Sequence, residues 1–287
     1  MTKENILITG AFGLLGSSLI KKIDNKKYKI FCTSKKKPLP KKNNINIIYC
    51  NLSKPISKKI LPNKISVIVH LAQFNQSEKK NNLKKLFYTN TVSTWQLLRY
   101  GVKAGAKHFI FASTGGVYSK KLGYSNECEK ISDKKNHNFY IASKKISENL
   151  IGCFKKNLKC LILRPFFIYG KKQKNNRLIP KILSKIRKGH PIKISGKNGF
   201  YLNPIHVDDA AEAIKEAIRI KMTGIVNLAG NDQISLKDLS LLLGKKLNIK
   251  PIFKKIQKRQ CNYLGCNQKM LNYLHKPKHN IYQYKLI

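Results

Sequence analysis

Tyr140 and Lys144 stand four residues apart in Tyr140-Ile141-Ala142-Ser143-Lys144. On a helix that spacing places both side chains on one face, a single turn apart. A phenol of ordinary pKa, about 10, is a weak base at neutral pH. A nearby ammonium favours the phenolate and brings it towards the working range. The pair is therefore equipped to take a proton from a hydroxyl group or to return one. Upstream runs Phe111-Ala112-Ser113-Thr114-Gly115-Gly116-Val117-Tyr118. A hydroxyl from that segment can hydrogen-bond a substrate carbonyl or alcohol alongside the tyrosine.

The second constellation is Ile6-Leu7-Ile8-Thr9-Gly10-Ala11-Phe12-Gly13-Leu14-Leu15-Gly16. A short apolar run breaks into glycines and leaves as a helical pattern with Leu15, Leu19, Ile20 and Ile23 on one face. That is strand, tight turn and helix. Gly10 allows the turn, Gly13 lets backbone approach a pyrophosphate, and Gly16 lets helix and strand pack closely. The helix start then offers unpaired N–H groups and a partial positive charge to the anion. Dinucleotide binding is the chemistry this pattern serves.

An NAD-specific site normally carries Asp or Glu at the end of its second strand, to hold the adenosine ribose. From Asn25 to Gln76 the chain has no acidic residue. The second strand ends instead at Cys32-Thr33-Ser34, followed by Lys35, Lys36 and Lys37. A hydroxyl and ammonium groups at Ser34, Lys35 and Lys36 suit a 2′-phosphate. NADP is the expected preference, with NAD as the alternative. At the end of the third strand Asn51 can accept a hydrogen bond from the adenine amine.

Such groups must be gathered by a scaffold, and the pattern along the chain predicts one. Tyr28–Thr33 and Ile45–Cys50 read as strands two and three, and Ile65–Leu71 as a fourth, a continuous apolar run suited to a buried parallel sheet. Leu83–Tyr100 reads as a helix with Leu86, Trp95 and Leu98 as core candidates. Lys107–Ala112 is strand five, Tyr140–Phe154 a helix and Cys160–Leu163 strand six. The rhythm predicts an α/β fold with a doubly wound parallel sheet, which places ligands at the carboxyl ends of its strands. After Gly170 the rhythm breaks. Leu178–Lys188 and Asp208–Ile220 read as helices, Gly224–Leu228 as a late strand, and a short helix starts at Ser235. The tail from Lys250 reads as irregular. The expected organisation is a cofactor-binding domain over 1–170, rejoined by 204–230, and a smaller substrate-binding lobe over 171–203 and 231–287.

Taken together, these motifs resemble the extended short-chain dehydrogenase/reductase family, the NAD(P)-dependent nucleotide-sugar epimerases, dehydratases and reductases with a Rossmann domain. The resemblance covers nearly the whole chain. It runs through the opening Thr9-Gly10 with its spaced glycines, His70-Leu71-Ala72, Asn90, Ser113–Tyr118 and Tyr140-x-x-x-Lys144. Arg164-Pro165-Phe166-Phe167-Ile168-Tyr169-Gly170 and Val207-Asp208-Asp209 complete it. It implies that Thr114 supplies the hydroxyl, that Tyr140 is the acid/base, and that Lys144 holds the nicotinamide ribose and tunes the tyrosine. It implies further cofactor contacts at Gly10, Phe12, Gly13, Leu14, Gly16, Asn51, Leu52, Leu71, Ala72, Asn90 and Pro165. Asn90 is expected at a helix start, as an active-site neighbour or a cap. His70 is expected to support the cofactor pocket by packing. Relatives also pair as homodimers through two helices, here Leu83–Tyr100 and Tyr140–Phe154.

The departures narrow the reaction. Dehydratases of the family usually follow the active-site hydroxyl with Asp-Glu, the acid pair that eliminates water; here Gly115 and Gly116 stand there. The arginine that often grips the nucleotide diphosphate before Val-x-Asp is missing from Leu202-Asn203-Pro204-Ile205-His206, leaving Lys171, Lys172, Arg177 and Lys197 as candidate replacements. The expected activity is a nucleotide-sugar epimerase, with an NADPH-dependent 4-keto-sugar reductase as the runner-up.

The chain has 287 residues and a formal net charge of +45. Six of its 58 basic residues are arginine. Nucleic-acid readers favour Arg, whose planar fork pairs with phosphates and guanine edges, and they concentrate charge on one face. Abundant Lys, Asn and Ile with scarce Arg is instead the mark of AT-rich codons. Nucleic acid is therefore expected to bind only non-specifically, at low salt. A Rossmann-fold nucleic-acid-binding protein without catalysis is the competing class, and the intact Thr114, Tyr140 and Lys144 oppose it. No apolar run approaches the roughly 18 residues of a membrane span. The first strand starts at once, leaving no room for a signal peptide. Seven scattered cysteines lack metal-ligand spacing and read as thiols in a reducing cytoplasm, with no metal site expected.

Overall fold

The computed structural model describes residues 2–35, 45–75, 82–118, 122–129, 131, 138–257 and 261–284. Among them the strands are β1 (Glu4–Thr9), β2 (Tyr28–Ser34), β3 (Ile45–Tyr49), β4 (Val67–His70), β5 (His108–Ala112), β6 (Tyr124–Ser125), β7 (Lys159–Pro165), β8 (Ile168–Tyr169), β9 (Ile192–Ser195), β10 (Tyr201–Leu202), β11 (Ile205–His206), β12 (Gly224–Leu228), β13 (Ile234–Ser235), β14 (Phe253–Ile256) and β15 (Leu264–Gly265). The helices are α1 (Leu14–Lys22), α2 (Leu83–Phe87), α3 (Ser93–Lys103), α4 (Phe139–Cys153), α5 (Leu178–Arg187), α6 (Val207–Arg219), α7 (Leu236–Leu247) and α8 (Gln268–Tyr273).

Apolar runs without alternation make strands buried on both faces, and these pack side by side in parallel. Seven strands form one sheet in the order β12-β7-β5-β4-β1-β2-β3, every pair parallel. The chain winds one way from β1 to β3 and the other way from β4 to β12. The reversal opens a crevice between the carboxyl ends of β1 and β4.

Successive strand residues point to opposite faces, and each face meets its own helices. Ile6, Ile8, Ile30, Val67 and Val69 face the alanine-rich α6, where Ala210, Ala213, Ile214 and Ala217 are fully buried. Leu7, Ile68, Phe109 and Phe111 face Leu97, Leu98 and Ile151 of α3 and α4. A fully buried Leu or Ile contributes roughly 1.5–3 kcal/mol, so this double layer dominates the stability. A further cluster lies apart, built from Ile179, Ile182 and Ile186 of α5 with Ile192, Leu202, Leu239 and Leu243.

Four details differ from the pattern reading. Trp95 is 38% exposed and does not join the core, whereas Leu86 and Leu98 do. The helix runs from 83 to 103 but contains a π turn, Tyr88–Val92. The extra residue of that turn shifts the phase beyond it by about 100°, which brings Leu98 into line with Leu86 and leaves Trp95 to the side of that buried stripe. The helix after Ser235 extends over twelve residues, longer than the short helix expected, with Ser235 capping the Asp238 N–H at 3.0 Å. The tail from Lys250 is ordered by contacts remote in sequence. Phe253–Ile256 pairs in parallel with Ile192–Ser195, and Asp209, 1% exposed, accepts from His275, from the Lys278 and His279 N–H groups and from the His279 ring. None of the seven cysteines forms a disulfide. No helix among the described residues is long and apolar enough to cross a membrane.

Candidate active site

β1 delivers the glycine turn to the crevice. Gly10 has φ +68°, a left-handed conformation, and a Cβ there would lie 2.6 Å from the Ala72 nitrogen. A Cβ on Gly16 would collide with the Gly10 carbonyl oxygen, so strand and helix approach closely enough only through glycine. Gly13 stands at the N-cap of α1 with no side-chain acceptor, and the first turn carries no acid. The first N–H groups of α1 are thus left for an outside anion. Phe12 is exposed and Leu14 half-buried at the rim of this cradle. A dinucleotide pyrophosphate fits it.

Around the cradle the structure gathers most of the cofactor residues expected from sequence. Leu71 is buried and its N–H donates to the Thr9 carbonyl at 3.1 Å, while the Ala72 N–H donates to Thr9 Oγ1 at 3.3 Å. His70 is fully buried between Thr9 Oγ1 at 2.6 Å and Thr94 Oγ1 at 3.1 Å. Burial and the nearby Lys144 charge push its pKa down to about 3, so the imidazole is neutral and joins β1 to α3 through these two side-chain contacts. Ser34 closes β2 with Lys35 exposed beyond it; Lys36 lies outside the described residues. Asn51 turns its amide oxygen inward to accept from Ser53 N at 3.1 Å and Ser53 Oγ at 2.8 Å. The oxygen expected to meet adenine is therefore already engaged in a turn. Leu52 is buried beside it, and Pro165 ends β7 half-buried.

Asn90 departs from expectation. It sits inside the π turn, not at a helix start, and caps nothing. Fully buried, it accepts from the Phe74 N–H at 2.8 Å and donates to the Phe74 carbonyl and to Ser143 Oγ, each at 3.0 Å. Its work is to tie the loop after β4 to α4.

Thr114, Tyr140 and Lys144 converge at the carboxyl end of β5. Asn138 caps α4 by accepting from the Ile141 N–H at 3.0 Å, which sets the helix so that Tyr140 and Lys144 face the sheet. Thr114 caps its own short turn through the Gly116 N–H at 3.2 Å and stands beside the Tyr140 side chain. The Tyr140 hydroxyl also donates to Gln73 Oε1 at 2.7 Å. Lys144 is fully buried; its Nζ donates to the Ala112 carbonyl at 2.7 Å and lies 4.6 Å from the Phe111 ring centroid.

The electrostatics run against the expected tuning. Burial pushes the Tyr140 phenol up to about 12, against the opposing Arg177 charge and the Thr114 hydrogen bond. Burial likewise brings Lys144 down to about 7, with Glu148 opposing. An ammonium that loses its proton so readily cannot hold the phenol down, so in this arrangement desolvation wins. Arg177, at the N-cap of α5, is the cation whose charge reaches Tyr140.

Below this trio lies a buried ion pair that sequence reasoning did not single out. Arg164 grips Glu148 through Nε at 3.1 Å and Nη2 at 2.6 Å, and Ser113 Oγ donates to the same carboxylate. The Arg164 guanidinium stacks 4.7 Å over the Tyr118 ring. The available signal was Glu148 itself, an acid one helical turn beyond Lys144. Gln73 was missed too, and only its place after His70-Leu71-Ala72 pointed to it. A Cβ on Gly115 would come within 2.6 Å of the Phe166 ring, and one on Gly116 within 2.7 Å of Ile141 Cδ1, so a side chain at either place would require these neighbours to shift.

The chain is similar to known proteins over most of its length. It is 29% identical to a dTDP-D-glucose 4,6-dehydratase of Dictyostelium discoideum across 83% of this chain and 61% of that enzyme, less than two thirds of the relative's length. It is 26% identical to the dTDP-4-dehydro-6-deoxyglucose reductase of Escherichia coli across 87% of this chain and 84% of the reductase. The fold matches that of the UDP-glucuronic acid 4-epimerase of Bacillus cereus, solved with UDP-glucuronic acid and NAD, at a TM-score of 0.83 and 21% identity over 97% of this chain and 95% of that one. Residues 6–229 match the model of the NAD dependent epimerase/dehydratase family, and the chain belongs to that family of enzymes, the extended short-chain dehydrogenases/reductases.

Proposed function

We propose that the protein epimerises a nucleotide sugar by NAD(P)-dependent hydride transfer at a sugar carbon. The observation that carries this reading is the convergence of Thr114, Tyr140 and Lys144 beside the glycine cradle. Tyr140 takes the proton of the reacting hydroxyl, and Thr114 hydrogen-bonds the same oxygen. Lys144 turns from the Ala112 carbonyl to the cofactor ribose and, recharged there, favours the phenolate. When bound, the nicotinamide supplies a hydride acceptor at its C4. Returning the hydride to the other face of the carbon and the proton to its oxygen completes an epimerisation. Glycine at both Gly115 and Gly116, in place of an acid pair, speaks against elimination of water.

The similarity to the E. coli reductase over 84% of its length favours a second reading, one-way reduction of a 4-keto sugar. The apolar cluster built from α5, β9, α7 and Ile281 supports a substrate lobe over 171–203 and 231–287, beside a cofactor domain over 1–170 and 204–230. Seven unpaired thiols suit a reducing cytoplasm. Incubation with UDP-glucuronic acid and UDP-glucose, each with NAD and NADP, is the test, with products resolved by NMR. An epimerised sugar without net cofactor reduction supports the proposal. Oxidation of NADPH by dTDP-4-dehydro-6-deoxyglucose alone selects the reductase. Inertness towards all of them overturns both.

A further inference from the structure

Gln73 is the third residue past the end of β4 and is exposed, yet its amide oxygen accepts the buried Tyr140 hydroxyl at 2.7 Å. The loop that carries it is clamped. Asn90 holds both backbone groups of the next residue, Phe74, at 2.8 and 3.0 Å. The same Asn90 amide donates at 3.0 Å to Ser143, three residues beyond Tyr140 on α4. Gln73 and Tyr140 therefore hang from one buried anchor, and their contact is set by the fold rather than by the wandering of a surface side chain.

We propose that Gln73 is a positioning residue for Tyr140, one that follows the hydroxyl through both of its protonation states. This rests on the reading of Tyr140 as the acid/base. As a phenol, Tyr140 donates to Gln73 Oε1, the arrangement seen here. As a phenolate it needs donors, and a half-turn of the amide brings the Nε2 N–H groups to the same oxygen. An amide serves both states, which neither a carboxylate nor an alkyl group can do. The proton itself passes only between the sugar hydroxyl and Tyr140 oxygen; Gln73 gives up and gains none.

Two measurements test this, one of them independent of turnover. In protein labelled with 13C at tyrosine Cζ, the Tyr140 resonance is identified by its loss in Tyr140→Phe. Gln73→Glu and Gln73→Asn, the latter one methylene too short, are expected to move that resonance and leave the Tyr118 resonance in place. In the pH profile of kcat on whichever sugar nucleotide the wild type turns over, Gln73→Glu is expected to shift the limb requiring the phenolate up by about one unit. That is about a tenfold loss at a fixed pH below the limb. Gln73→Asn is expected to lower kcat several-fold with little change in the affinity for cofactor. A Tyr140 resonance and a pH profile that both superimpose on wild type in the two variants overturn the proposal, and do so even if Tyr140→Phe is inactive. Full activity of Tyr140→Phe would instead remove the acid/base reading, leaving the resonance shift to report the contact alone.

Discussion

Lys144 lies one turn beyond Tyr140 on α4, yet its Nζ is 6.0 Å from the Tyr140 ring centroid and donates to the Ala112 carbonyl. The two groups share a helix face without sharing a hydrogen bond. Each is buried, and burial moves each towards its neutral form, the phenol up to about 12 and the ammonium down to about 7. A catalytic phenolate is thus reached only when other charges and hydrogen bonds at the site change.

Tyr140→Phe is expected to lower turnover by at least about a thousandfold while leaving cofactor affinity within a few-fold, because the ring still packs and only the titrating hydroxyl is lost. Lys144→Ala is expected to reduce both turnover and cofactor affinity. Steady-state kinetics with parallel cofactor titrations measure the two effects. Wild-type turnover in Tyr140→Phe ends the assignment.

Cofactor choice follows from the missing carboxylate. With no acid between Asn25 and Gln76, and with Ser34 ending β2 and Lys35 and Lys36 next in sequence, NADP(H) is expected to bind more tightly than NAD(H) at physiological salt. Lys35→Glu should narrow or reverse the difference. Equal affinities for the two cofactors in the wild type would show the lysines to be bystanders.

Assembly has its own signature. Leu83, Phe87, Trp95 and Val102 on the helix of 83–103 and Phe139 and Ile146 on α4 are all large, apolar and exposed. Phe87 and Phe139 sit with ring centroids 6.5 Å apart, joining the two helices into one apolar face. A homodimer through this face has to overcome a formal +45 on each chain, so association is expected to strengthen with salt. Trp95→Glu should weaken it. Sedimentation that reports a monomer at every ionic strength rules the dimer out.

The His70 imidazole gives an acid-side prediction. Its folded pKa of about 3 lies below the ordinary 6.5, so between those values the unfolded chain takes up a proton that the folded protein refuses. Stability therefore falls as pH drops through that window, by up to about tenfold in the folding equilibrium per pH unit. Denaturant titrations of His70→Asn should show a shallower loss between pH 6.5 and 4. An unchanged slope would place the acid lability elsewhere.

The pair beneath the site is expected to matter for stability first. Arg164 and Glu148 have side chains 2% and 4% exposed, so removing one leaves an uncompensated buried charge. Glu148→Gln should cost about 3–5 kcal/mol. Thermal and denaturant unfolding check it, and a loss below about 1 kcal/mol would mean that solvent reaches the pair.

Much of this protein was written locally. The glycines after β1, the four-residue step from Tyr140 to Lys144 and the apolar runs of the sheet depend on neighbours within a few residues, so pattern alone placed them. The departures share one cause. Leu98 comes into line with Leu86, and Trp95 stays off that stripe, because a π turn shifts the helix phase, and that turn is held by Asn90 bonding Phe74 and Ser143 across the fold. The tail is ordered by Asp209 and β9, which lie far from it in sequence. Gln73 meets Tyr140 across 67 positions of chain, and Glu148 meets Arg164 across a helix–strand boundary. The protonation balance of Tyr140 and Lys144 was beyond the sequence for the same reason. The i, i+4 spacing brings the two groups to one face, but desolvation depends on how completely the sheet and loops close over them, and only the tertiary packing sets that.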